Sequence, residues 1–129
     1  MGKEQYVSFE VAKLLKEKGF NIPSDTSYEV CLWQMYDEDG KVHWGIYSSD
    51  WYFRITQQMA CDWLREEHNI DIIPVIQHRW RYSQESPFKE YSCRVYDSDG
   101  NIVLSATKWY SRYENAVEAA LEYCLKNII

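Results

Sequence analysis

The chain has 129 residues, 46% of them hydrophobic, with 14 basic and 20 acidic side chains and a formal charge of −6. Its length and apolar content fit one globular domain spanning residues 1–129 around a single core. The acidic balance excludes a broadly basic phosphate-binding surface, and no apolar run approaches the roughly 20 residues of a membrane-spanning helix.

Ser8 precedes a run over residues 9–19 with apolar side chains at Val11, Leu14 and Leu15, late lysines and a closing Gly19. Those features predict a short helix marked at both ends. Residues 21–25 read as a loop, and 28–36, rich in aromatic and branched residues, as a strand. The 37–40 segment turns the chain. Residues 41–47 then alternate, which places Val42, Trp44 and Ile46 on one side of a strand expected to be buried.

Thr56 opens a second helix whose stripe runs through Met59, Ala60, Trp63 and Leu64 and which ends at Asn69. Residues 70–82 predict a long strand, with His78, Trp80 and Tyr82 on one face and Gln77, Arg79 and Arg81 on the other. Pro74 lacks an N–H, so this strand must lie at an edge or carry a bulge. A loop at 83–88 leads to a second hairpin made of 91–96, the 97–100 turn and 101–110. Ser111 and Glu114 have the spacing of a capping box, and Tyr113, Ala116, Val117, Ala120, Leu121 and Cys124 continue at helical spacing.

This order of elements predicts an α+β fold: an antiparallel sheet of about five strands, with three helices mainly on one face and the other face partly open. The acidic turn occurs twice, as Tyr36-Asp37-Glu38-Asp39-Gly40 and Tyr96-Asp97-Ser98-Asp99-Gly100, each time ahead of a helix. That recurrence suggests an internal ββα duplication.

The helical segments also carry a resemblance. Val7 to Phe20, the Trp63-Leu64-Arg65-Glu66 helix and the Tyr113-Glu114-Asn115-Ala116 helix resemble those of small uncharacterised proteins of gut Bacteroidales and of their phages and mobile elements. Where those proteins often enter the middle helix with Pro-Thr, Ile55 stands before Thr56 here. The resemblance implies a bacterial or phage-borne cytoplasmic protein and transfers no catalytic residue.

Candidate chemistry is sparse. Cys31, Cys61, Cys93 and Cys124 show no paired spacing, and no secretory leader follows Met1, so the expectation is reduced, mostly buried thiols in the cytoplasm. The acidic turns begin like calcium loops but lack the remaining oxygen ligands, so they read as hairpin turns and no metal or other cofactor is expected. A thiol enzyme using one cysteine with His43 or His78 has no spacing to support it, and His68 sits where it can offset a helix dipole.

The remaining signal is aromatic, with 6 Trp and 11 Tyr. Arg79, Trp80, Arg81 and Tyr82 on the long strand, with Trp109 and Tyr110, are the expected contact residues, supplemented by Lys89, Arg94, Lys108 and Arg112. The expectation is a non-enzymatic binding or accessory module that contacts a protein partner, or a second copy of itself, through an aromatic sheet face. The alternative is single-stranded nucleic-acid binding by the same Arg and aromatic strand.

Overall fold

A computed structural model describes residues 5–21, 34–79, 88–105 and 107–129. Helix α1, Phe9–Glu17, begins where the Ser8 hydroxyl accepts the Val11 N–H at 3.2 Å. Helix α2, Gln57–His68, begins at Thr56, whose hydroxyl accepts the Met59 N–H at 3.2 Å, and ends at Asn69 in the left-handed conformation. Helix α3 spans Tyr113–Asn127. Its capping box does not form. The cap residue is Arg112, without a side-chain cap bond, and Arg112 Nε holds the Glu114 carboxylate at 2.6 Å, so that carboxylate is spent on a charge pair.

Among the described residues six strands build two antiparallel sheets rather than one sheet of five. Strands β1 (Gln34–Tyr36), β2 (Val42–Trp44) and β3 (Tyr52–Phe53) form the first in the order β2-β1-β3. Strands β4 (Asp71–Arg79), β5 (Phe88–Tyr96) and β6 (Ile102–Leu104) form the second in chain order. The reason for two sheets is an occupied edge. The chain leaving β3 is already paired on its far side, where Val7 N–H donates to Ile55 O at 2.9 Å and Gln57 N–H to Gln5 O at 2.8 Å. With residues 5–7 in that slot, β4 and β5 cannot extend the first sheet beside β3, and they pair with each other instead.

Pro74 behaves as its chemistry requires. It lies opposite Cys93, whose carbonyl and amide turn instead to Thr107: the Thr107 N–H donates to Cys93 O at 3.0 Å, and the Cys93 N–H to Thr107 Oγ1 at 3.1 Å. The Pro74–Cys93 pair is therefore non-hydrogen-bonded, and the missing N–H falls on the open edge of β4. Beyond β6 the predicted strand over 101–110 is interrupted, resuming at a bridge where Tyr91 and Tyr110 exchange bonds of 2.7 and 2.8 Å.

The two acidic turns are the same device. Asp37 Oδ1 accepts the amides of Asp39 and Lys41, both at 2.9 Å, and Asp97 Oδ1 accepts those of Asp99 and Asn101 at 3.0 and 2.9 Å. Gly40 and Gly100 take φ of +85° and +81°, which a side chain would strain. Only Gly40 is also crowded: a Cβ there would lie 3.0 Å from the Phe9 ring, whereas nothing lies within 4 Å at Gly100.

One core serves both sheets. Helix α3 buries two adjacent rows, Ala116, Ala120 and Cys124 beside Val117, Leu121 and Leu125, as residues four apart on one helix face should. It packs on β5 and β4 and beside α1 and α2, meeting Cys93 and Val95 of β5, Val11 and Leu15 of α1, and Leu64 of α2 in one cluster. Tyr113, expected on that stripe, stays 44% exposed and meets Tyr91 edge-on. Among the described residues no helix is long and apolar enough to cross a membrane.

Two comparisons test these assignments. Thr56→Ala, removing a formed cap, should cost about 1 kcal/mol in denaturant unfolding, whereas Ser111→Ala should stay within about 0.5 kcal/mol. Gly100→Ala should cost roughly 1–2 kcal/mol for its backbone conformation alone, and Gly40→Ala more, because the Phe9 ring must also move.

Candidate functional site

Apolar exposure concentrates on the edge of the first sheet. Val42 is 44% exposed, Trp44 66%, Ile46 53% and Tyr47 54%, four large side chains within six residues. This reverses the sequence expectation for Val42, Trp44 and Ile46. The alternation was real, but the face it marks loses its cover at β2. By register Val42 and Trp44 share a face with Tyr36 and Gln34, both buried. Tyr36 is covered because its hydroxyl donates to Val7 O at 2.5 Å and its ring meets Phe9 at 5.6 Å. One strand further out, Val42 and Trp44 are left in solvent.

The intervening residue locks this orientation. His43 points to the opposite face, where Nε2 lies 2.8 Å from Asp37 Oδ2 and the ring stacks on Trp51 at 4.4 Å and 24°. Trp51 in turn donates from Nε1 to Glu38 Oε2 at 2.9 Å. The hydrogen bond from His43, followed by the Lys41 amide, holds the Asp37 carboxyl below its ordinary 3.8. A rotation of β2 that buried Trp44 would break the stack and the hydrogen bond to Asp37 together. The turn that starts the strand therefore also determines which side chains it presents.

The contact residues expected from sequence are only partly brought together. Trp80, Arg81 and Tyr82 lie outside the described residues, and Arg79 ends β4 opposite Phe88. Tyr110 is half-buried against the core beside Tyr91, and Trp109 next to it is 36% exposed. The Ile76–Tyr91 pair lies three register steps from Arg79–Phe88, so Arg79 and Tyr110 are about 10 Å apart along the ladder. Of the supplementary cations, Arg112 is paired with Glu114, and Arg94 Nε donates to Ser105 O at 3.3 Å. The exposed large hydrophobic side chains of the second sheet are aliphatic: Ile73, Ile76 and Ile102.

Cys61, Cys93 and Cys124 are free thiols, while Cys31 lies outside the described residues. Burial pushes Cys61 and Cys124 up to about 12 and Cys93 to about 11. At neutral pH these three are protonated, the opposite of an activated nucleophile. His43 is engaged with Asp37, and His78 lies exposed on β4. Among the described residues no three His, Cys, Asp or Glu side chains group as metal ligands would, and Asp37 and Asp97 direct their carboxylates to turn amides.

No protein-family model, curated protein or solved structure matches this chain. The geometry alone carries the functional argument.

The thiols give a pH prediction with a definite sign. Unfolded cysteines ionise near 9.0, whereas the folded ones keep their protons to about 11–12. Between those values the native state binds more protons, so stability should fall as pH rises above about 9. Denaturant unfolding at pH 8 and pH 10.5 measures this. A variant with Cys61, Cys93 and Cys124 all changed to Ala should be less stable at pH 8 but flatter with pH.

Proposed function

We propose that this protein is a small non-enzymatic binding module whose protein partner docks on the apolar edge formed by Val42, Trp44, Ile46 and Tyr47. The observation that carries the reading is the exposure of all four, led by Trp44 at 66%. Exposed large apolar side chains mark interaction sites, and Trp and Tyr are the side chains that most often anchor them. The segment carries no Lys, Arg, Asp or Glu from Val42 to Ser49, so docking there desolvates no formal acidic or basic charge. The protonated state of the three described thiols supports a role other than nucleophilic catalysis.

Trp109, beside the second sheet, is a secondary contact in this reading. The matching acidic turns support descent from a duplicated ββα unit, with Tyr36 opposite Val42 in one copy and Tyr96 opposite Ile102 in the other. Taken with the helix resemblance, the proposal describes a cytoplasmic accessory module of a gut bacterium or its phage.

Val42→Lys with Trp44→Asp should leave unfolding within about 1 kcal/mol of wild type, since both side chains are already in solvent. The same pair of substitutions should abolish association, read by light scattering of the purified chain and by capture of a partner from bacterial lysate. Light scattering decides whether the partner is a second copy. A wild-type chain that is monomeric and captures nothing would remove the basis of the proposal.

A further inference from the structure

The end of α1 separates two clefts that meet along Gly19, Phe20 and Asn21. The first, about 330 Å³, lies between α1 and residues 47–53, with Leu15, Met35, Trp51 and Phe53 among its walls. The second, about 520 Å³, lies against the α2 face that presents Met59, Trp63, Glu66 and Glu67. Phe20 joins them, standing edge-on to Phe53 at 6.4 Å and to Trp63 at 5.6 Å. The result is an aromatic-floored groove rather than two unrelated hollows.

Its ends carry opposite charge. In the first cleft Lys16 Nζ donates to the Ser49 carbonyl at 2.5 Å and to the Trp51 carbonyl at 3.1 Å, which uses two of its three N–H groups. In the second, Glu66 and Glu67 are exposed and make no ion pair or hydrogen bond among the described residues, while Asp62 beside them is engaged by Gln58 and Arg65. The lysine is pinned by backbone carbonyls and the two glutamates are unneutralised. A ligand that fits must supply an anion to one end and a cation to the other, with apolar groups between.

We propose that this groove binds a short extended peptide of a partner protein, a basic side chain lying over Trp63 towards Glu66 and Glu67 and a carboxylate meeting Lys16. The basic stem covers the Trp63 ring while its cation offsets the two glutamates. Apolar side chains of the peptide lie on Phe20 and Phe53. A compact monoanion satisfies only Lys16 and a compact cation only the glutamates; an extended chain satisfies both. Of the four edge residues only Tyr47 lines a cleft; Val42, Trp44 and Ile46 line neither, so the two surfaces adjoin but are tested separately.

The test uses the full chain and a panel of fluorescein-labelled peptides with Arg near the N-terminus, a free C-terminal carboxylate and three to six Leu or Ala residues between. Saturable anisotropy is expected for at least one length. Lys16→Glu and the double variant Glu66→Lys with Glu67→Lys should each weaken it about tenfold or more, with circular dichroism unchanged. Amidating the peptide should weaken its binding to wild type and should not weaken its binding to Lys16→Glu. The double variant should regain binding to a peptide with Glu in place of Arg, and the Val42→Lys, Trp44→Asp variant should bind as wild type does. The proposal is overturned by no saturable binding across the panel, by binding indifferent to these charges, or by acetate or free arginine competing as well as the peptide.

Discussion

The fold depends on how closely α3 can approach everything around it. Ala116, Ala120 and Cys124 run along one helix face with no exposed surface, and Leu121 and Leu125 fill the adjacent row. Small side chains allow close approach of the helix, which packs on β5 and β4 and beside α1 and α2 in one cluster. A bulky residue in the Ala row would push apart the layers that share this core, because overpacking displaces whole elements in a close-packed interior. The Glu118 carboxylate of the same helix accepts the Ser8 N–H at 2.7 Å, placing a negative group at the positive end of α1. One helix thereby ties the N-terminal segment to both halves of the chain.

That arrangement explains why one sheet edge is bare. The N-terminal segment and α1 cover Tyr36 and Gln34, with Arg54 contributing a guanidinium stacked 4.1 Å over Tyr6 and a hydrogen bond to Gln34. Their reach stops at β1. The neighbouring strand β2 is held in place through its other face by His43, Asp37 and Trp51, so it needs no apolar cover to stay ordered. Polar anchoring on one side frees the other side to carry Val42 and Trp44 in solvent.

The two turns show how one piece of local chemistry serves two purposes. Around Asp97 the carboxylate closes a hairpin and nothing more is bonded to it among the described residues. Around Asp37 the second carboxylate oxygen also reaches His43, and Gly40 admits the Phe9 ring beside it. The first turn is consequently tied to α1 and to the orientation of β2, whereas the second meets the end of α2, where the Asn69 side-chain N–H donates to Ser98 O at 3.4 Å. Burial governs the thiols in the same direct way: desolvation keeps Cys61, Cys93 and Cys124 protonated and makes them packing residues.

Local chemistry alone determined a good part of this protein. Ser8 and Thr56 cap their helices, Asn69 ends α2, both Asp-x-Asp-Gly segments turn the chain, and Pro74 sits on an open edge; each depends on bonds within a few residues or on a missing N–H. The α+β class and the buried stripe of α3 were legible for the same reason, since periodicity records which residues share a face. What periodicity cannot record is whether anything covers that face. Residues 5–7 filling the edge beside Ile55 split the expected sheet in two, Arg112 took the Glu114 carboxylate from the predicted capping box, and the end of the N-terminal cover at β1 turned Trp44 outward. Those outcomes were decided by partners far away in the chain, and only the tertiary structure brings such partners together.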